Sequence, residues 1–106
     1  MHGQALKGHL DLLLLSTLEH GPAHGYAVIE ALRAGTGGEL ELQEGTVYPA
    51  LHRLEGAGLL ASSWSDSAPR RRRVYRLTQR GRRALERERR SWQAFSRAVT
   101  AVVEGA

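Results

Sequence analysis

The 106-residue chain contains no cysteine, which excludes disulfides and thiolate metal sites. Lysine occurs once against 14 arginines, a bias that a GC-rich genome explains as well as function does. Long apolar runs are missing too. The densest, Leu12 to Leu15, is far short of a membrane span. No basic segment followed by a long apolar stretch and a cleavage site opens the chain, so the sequence predicts a cytoplasmic protein with no membrane segment. What remains is enough for one modest core, and chains this small often gain burial by oligomerising.

Charge is unevenly distributed. Residues 1–69 carry three basic side chains (Lys7, Arg33, Arg53) against eight acidic ones, a net of −5. Residues 70–90 carry eleven arginines against Glu86 and Glu88, a net of +9, and residues 91–106 cancel, for a total of +4. A basic segment on a mildly acidic body suggests an oriented polyanion contact; taken alone it also fits a solvated arginine-rich helix.

The apolar pattern predicts the elements. Leu6 to Glu19 reads as a helix apolar almost all round, hence covered on more than one side, and His20-Gly21-Pro22 ends it. Gly25 to Ala34 reads as a second helix, followed by a break at Gly35-Thr36-Gly37-Gly38. The stretch EGTVYPALHRLEGAGLL (44–60) reads as a third. Proline lacks an amide hydrogen and disfavours the helical region for the residue before it. Pro49 therefore places the start of this helix between Gln43 and Thr46. Free amides and the positive dipole end then lie beside Gly45, with the hydroxyls of Thr46 and Tyr48 nearby. Gly56 and Gly58 close it.

Leu59–Ser65 and Val74–Thr78 read as two strands of a hairpin with an arginine-bearing turn, Tyr75 and Leu77 sharing one face. Thr78 is a fitting N-cap for a last helix reaching about Val103. Along that helix Leu85, Trp92 and Val99 recur every seven residues, with Phe95 and Val102 between them, which is coiled-coil spacing that Glu88 breaks once.

Three helices followed by a basic-tipped hairpin is the order of a winged helix-turn-helix, in which the third helix enters the DNA major groove and the hairpin rests on neighbouring backbone. The expected fold is mainly α with a small β-hairpin: a DNA-binding domain over residues 1–78 and a dimerisation helix over 79–106.

Three stretches, HGYAVIEAL (24–32), EGTVYPALHRLEGAGLL (44–60) and RRRRVYRLTQRGRRAL (70–85), resemble the PadR family of bacterial transcriptional regulators, in order over most of residues 6–85. The single short tail helix is similar to the smaller PadR subfamily. Val47 stands where leucine is common, and the hairpin lacks the usual glycine or asparagine beside its arginines. The resemblance implies a homodimer built on the last and first helices, repression by occupying a dyad-symmetric operator, and room for an effector that releases the DNA. It further implies DNA contacts from Gly45, Thr46 and Tyr48 at the third helix, from His24, Gly25 and Tyr26 near a phosphate, and from Arg71, Arg72 and Arg73, with Arg70, on the wing.

Several residues admit two readings. Tyr48 fits a groove-facing role or a core edge beside Pro49. Arg53 fits a DNA contact or an ion pair with Glu55 or Glu30. The dimer seam is expected from Leu6, Leu10, Leu85, Trp92, Phe95, Val99 and Val102. Trp92 fits either a packing knob there or, with Phe95 as a wall, a stacking platform for a planar aromatic effector. The second functional reading of the whole chain is a winged-helix protein-interaction module without sequence-specific DNA binding.

Five histidines raise the question of a metal. Gly21 and Pro22 separate His20 from His24, and His2 and His9 lack partners at ligand spacing. His52 reads as a polar residue near DNA or solvent. The glycines at 35–38 lack the ending of a phosphate loop, and no nucleophile–base–acid set or carboxylate pair is placed for catalysis. No metal, cofactor or enzymatic activity is expected.

Overall fold

The computed structural model describes residues 4–66 and 71–105, with side-chain surroundings from residue 8 on. The elements run α1 (Gln4–Leu18), β1 (Ala23–His24), α2 (Gly25–Gly35), α3 (Glu44–Gly56), β2 (Leu60–Ser65), β3 (Arg72–Leu77) and α4 (Gln79–Val103).

α1 is the central element, in contact with α2, α3, α4 and β3. That explains its apolar circumference: Leu14, Leu15 and Leu18 are fully buried, and Leu10, Leu12 and Leu13 pack against the same core. α2 contributes Val28, Ile29 and Leu32; α3 contributes Val47, Ala50, Leu51 and Leu54. Leu40 and Leu42, in the connection between them, are also buried and pin the acidic loop that leads into α3.

α3 begins at Glu44 after Gln43, within the window that Pro49 sets. The proline falls in the second turn, so the carbonyl of Gly45 loses its i+4 amide partner. No side chain caps the start. At the other end Gly58 takes φ +81°, a conformation glycine reaches without a Cβ penalty, and the Leu59 amide returns to the Leu54 carbonyl at 3.0 Å.

The sheet has three antiparallel strands in the order β1-β3-β2, one more than the expected hairpin. β1 is only two residues long, pairing Ala23 with Tyr75 and His24 with Val74. β2 and β3 pair Leu60 with Leu77, Ser62 with Tyr75 and Trp64 with Arg73. The pleat sends Tyr75 and Leu77 into the core.

Thr78 caps α4 as expected. Its hydroxyl accepts from the Gly81 amide at 3.0 Å and donates to the Gly58 carbonyl at 2.7 Å. The first two turns of α4 belong to the core through Ala84 and Leu85. Leu85, expected in the dimer seam, is 1% exposed within a single chain. The seven-residue repeat, broken once by Glu88, has its first member facing the chain's own α1 and sheet, and only the later ones pass beyond the core.

Candidate nucleic-acid interface

The start of α2, the first turns of α3 and one end of the hairpin enclose a cleft of about 690 Å³. His24 forms one edge. Its Nδ1 accepts from the Ala27 amide at 3.3 Å and so caps α2, while its Nε2 lies 2.8 Å from Nη1 of Arg72. Arginine only donates, and a neutral imidazole accepts at one nitrogen only. The ring therefore satisfies the cap or Arg72, not both. Burial first, and then the charge of Arg72, lower the His24 pKa and hold the ring neutral.

Gly25 and Tyr48 form the floor. A Cβ on Gly25 would sit 2.2 Å from Cε1 of Tyr48, so the tyrosine ring occupies the space that glycine leaves. On the hairpin side, Arg73 donates from Nε to the Ser62 hydroxyl at 2.8 Å, and that hydroxyl donates to Glu55 at 2.6 Å. Arg73 also lies 3.8 Å from Glu55, and Arg71 lies 3.6 Å from Asp66. The Arg71–Asp66 pair is solvent-exposed and weak, whereas Arg73 and Glu55 are half-buried. Tyr26, Glu44 in the first turn of α3, His52, Trp64 and Tyr75 complete the lining.

Residues 14–87 match the family described as transcriptional regulator PadR-like. The chain belongs to this family. It is 35% identical to a PadR-family transcriptional regulator from Eggerthella lenta, whose crystal structure superposes with a TM-score of 0.81 over 96% of this chain and 88% of that one. A PadR-family regulator from Clostridium difficile is 33% identical, with a TM-score of 0.77 over 91% and 99%. The transcriptional regulator Rv3488 of Mycobacterium tuberculosis is 51% identical over 55 residues, 52% of this chain. That match spans about half the length of Rv3488 (51%). The winged-helix architecture, mainly helical with a small antiparallel sheet, is that of the family.

In this PadR-family chain the predicted DNA-contact residues divide. His24, Gly25, Tyr26, Tyr48, Arg71, Arg72 and Arg73 line the one cleft. Gly45 and Thr46 are exposed at the uncapped start of α3. Arg53 is not among the cleft residues. Its guanidinium grips Asp11 of α1 through two bonds of 2.6 and 3.1 Å, rather than Glu55, which meets Ser62 and Arg73, or Glu30, which meets Arg33. The sequence offered Arg53 near neighbours, whereas packing of α3 across α1 brings it a partner 42 positions away. Arg70 and the side chain of Leu6 lie outside the described residues. Trp64 and Glu55 were not anticipated. Register would have shown Trp64 opposite Arg73, but register depends on where the hairpin turns.

The tail of this PadR-family chain carries a second distinct surface. Trp92, Phe95, Val99, Val102 and Val103 are 42, 56, 41, 81 and 72% exposed. His9 of α1 meets the Trp92 ring edge-on at 4.9 Å. With Leu12, Glu88, Ser91 and Phe95 these two line an open hollow of about 330 Å³ between α1 and α4. Among the described residues, no three histidine or carboxylate groups stand together as a metal site. No described helix is long and apolar enough to cross a membrane.

Proposed function

We propose that this PadR-family regulator is a cytoplasmic repressor. It binds a dyad-symmetric operator in double-stranded DNA as a homodimer, and a planar aromatic effector releases it. The observation that carries the DNA reading is the gathering of His24, Tyr48 and three wing arginines on one cleft, with the exposed, uncapped start of α3 next to it. Nothing lies within 4 Å of where a Cβ on Gly45 would stand, so the glycine answers no packing need of the chain and leaves the start of α3 open to close approach. The α3 amides and dipole there favour an anion. A phosphate oxygen between Nε2–H of His24 and the Arg72 guanidinium accepts from both, and resolves the conflict between the cap and Arg72. Tyr48 carries base-side contact, and Arg71 and Arg73 meet backbone.

The exposed stripe from Trp92 to Val103 supports the dimer. A contiguous apolar face of this kind marks an association surface, and its isologous pairing sets two α3 helices about 34 Å apart, one DNA turn. An aromatic ligand between Trp92 and its symmetry mate, walled by Phe95, favours one inter-chain angle over another, and only that difference in affinity releases DNA.

Selection of fragments bound from the source genome tests the DNA reading. The wild type is expected to retain DNA with a steep salt dependence. Arg71→Ala and Arg72→Ala are expected to weaken binding to all sequences, flattening the log–log salt slope by about 0.9 for each phosphate that is no longer neutralised. Tyr48→Ala is expected to lose more affinity for the selected fragment than for random duplex. A chain that ignores duplex DNA and heparin at low salt sinks this reading, and leaves a protein-interaction module. Sedimentation as a monomer at micromolar concentration refutes the dimer. Transcription from the selected promoter that does not fall when the protein is added refutes repression. In a Trp64→Phe chain, compounds that quench Trp92 are expected to lower operator affinity about 5- to 150-fold; quenching without that drop leaves Trp92 a packing residue.

A further inference from the structure

Two arginines of the wing, Arg71 and Arg73, are gathered around Trp64. This residue sits on β2 directly opposite Arg73 of β3. The guanidinium carbons of Arg71 and Arg73 lie 4.8 and 5.1 Å from its ring centroid. Alternation along β3 sends Arg73 to the same side as Trp64 and Arg72 to the other, toward His24, and Arg71, just before the strand, reaches the same ring. The ring is 53% exposed and stands outside the hydrophobic core, so its bulk fills no space there. Two guanidiniums gathered at one indole repel each other. The negative face of the ring, together with Asp66 beyond Arg71 and the Ser62–Glu55 pair beyond Arg73, offsets that repulsion.

We propose that Trp64 is a positioning residue of the wing: it holds the guanidiniums of Arg71 and Arg73 in place before DNA arrives, so that a phosphate strand meets two ordered forks. This rests on the DNA reading above. The physical gain is entropic. A free arginine on a strand end samples many rotamers, and ordering it on contact costs affinity; a ring that orders it beforehand removes part of that cost.

Two variants separate the ring from its bulk. Trp64→Leu keeps an apolar side chain without a π face; Trp64→Phe keeps the face. With the full-length chain and a mixed-sequence 40-base-pair duplex as probe, Trp64→Leu is expected to weaken binding about 3- to 10-fold, since each exposed cation–π contact shifts an equilibrium about 2- to 5-fold. The salt slope is expected to stay at the wild-type value, because the phosphate contacts still form, whereas Arg71→Ala flattens it. Trp64→Phe restores most of the affinity. The second measurement needs no DNA. NMR relaxation of the arginine Nε–H groups is expected to show Arg71 and Arg73 restricted in the wild type and in Trp64→Phe, and mobile in Trp64→Leu. Equal arginine mobility in all three chains, or equal affinity of the leucine and phenylalanine variants, overturns the proposal. If the wild type itself fails to bind duplex, the DNA reading fails, and the mobility measurement still decides whether Trp64 orders the arginines.

Discussion

Replacing Gly25 with alanine tests how the cleft is built. The added methyl would lie 2.2 Å from Cε1 of Tyr48 and 2.9 Å from Cδ1 and Cζ. Carbon atoms in contact sit about 3.5–4.0 Å apart, so the ring must retreat by about 1.3 Å. It has little room behind it, because Tyr48 is half-buried against the core. Either the ring swings into the cleft or the start of α2 lifts from α3. Overpacking of this size costs about 1–3 kcal/mol, and for a domain of this length each kcal/mol lowers Tm by about 4–8 °C. The same methyl should be harmless once the ring is gone. In a Tyr48→Ala background, Gly25→Ala meets no ring, and alanine gains up to about 0.5–1 kcal/mol over glycine within a helix. Urea unfolding of the four chains, at one protomer concentration because a dimer's stability depends on it, gives the coupling energy. We expect at least about 1 kcal/mol. If Gly25→Ala costs the same in both backgrounds, the ring is not what requires glycine. DNA affinity should follow the same cycle, since a displaced Tyr48 occupies the space where the duplex is expected.

Gly81→Ala should be worse than Gly25→Ala, above about 3 kcal/mol, because the new methyl meets the Leu59 carbonyl oxygen at 2.0 Å and backbone has no rotamer to escape into; a chain with wild-type Tm contradicts this. Thr78→Ala removes both the α4 cap and the bond to Gly58 and should cost about 1–2 kcal/mol, with Thr78→Ser recovering most of it in chemical denaturation. Arg89, which bonds Glu19 at 2.6 Å, lowers the Glu19 pKa. Between its lowered folded value and its ordinary one, the unfolded state binds more protons, so this stabilisation is complete above the ordinary carboxylate range and fades as pH falls through the folded value. The urea midpoint of wild type should therefore exceed that of Glu19→Gln at pH 6, and the gap should shrink as the pH is lowered below the ordinary carboxylate range; a gap that stays constant refutes the pairing.

By itself the sequence determined what depends on near neighbours. The apolar circumference of α1, the α3 start set by Pro49, the Thr78 cap and the alternation of Tyr75 and Leu77 are all written within a few residues, because a helical turn, a cap or a pleat involves only positions that close. The order of these elements, with the motifs at 24–32 and 44–60, was enough to indicate the family. Tertiary structure alone decided which distant groups meet. β1 is two residues with no strand pattern of its own and exists because β3 passes beside it. Arg53 takes Asp11 because α3 crosses α1. Leu85 turns inward because the core ends after the second turn of α4, a boundary that the spacing of Leu85, Trp92 and Val99 does not mark. Gly25 makes way for Tyr48, and Trp64 meets two arginines, because the angle between α2 and α3 and the register of β2 on β3 bring them together. Those quantities are set by the packing of the whole core and by the length of a turn. A side chain on one segment carries no trace of them until the other segment is in place.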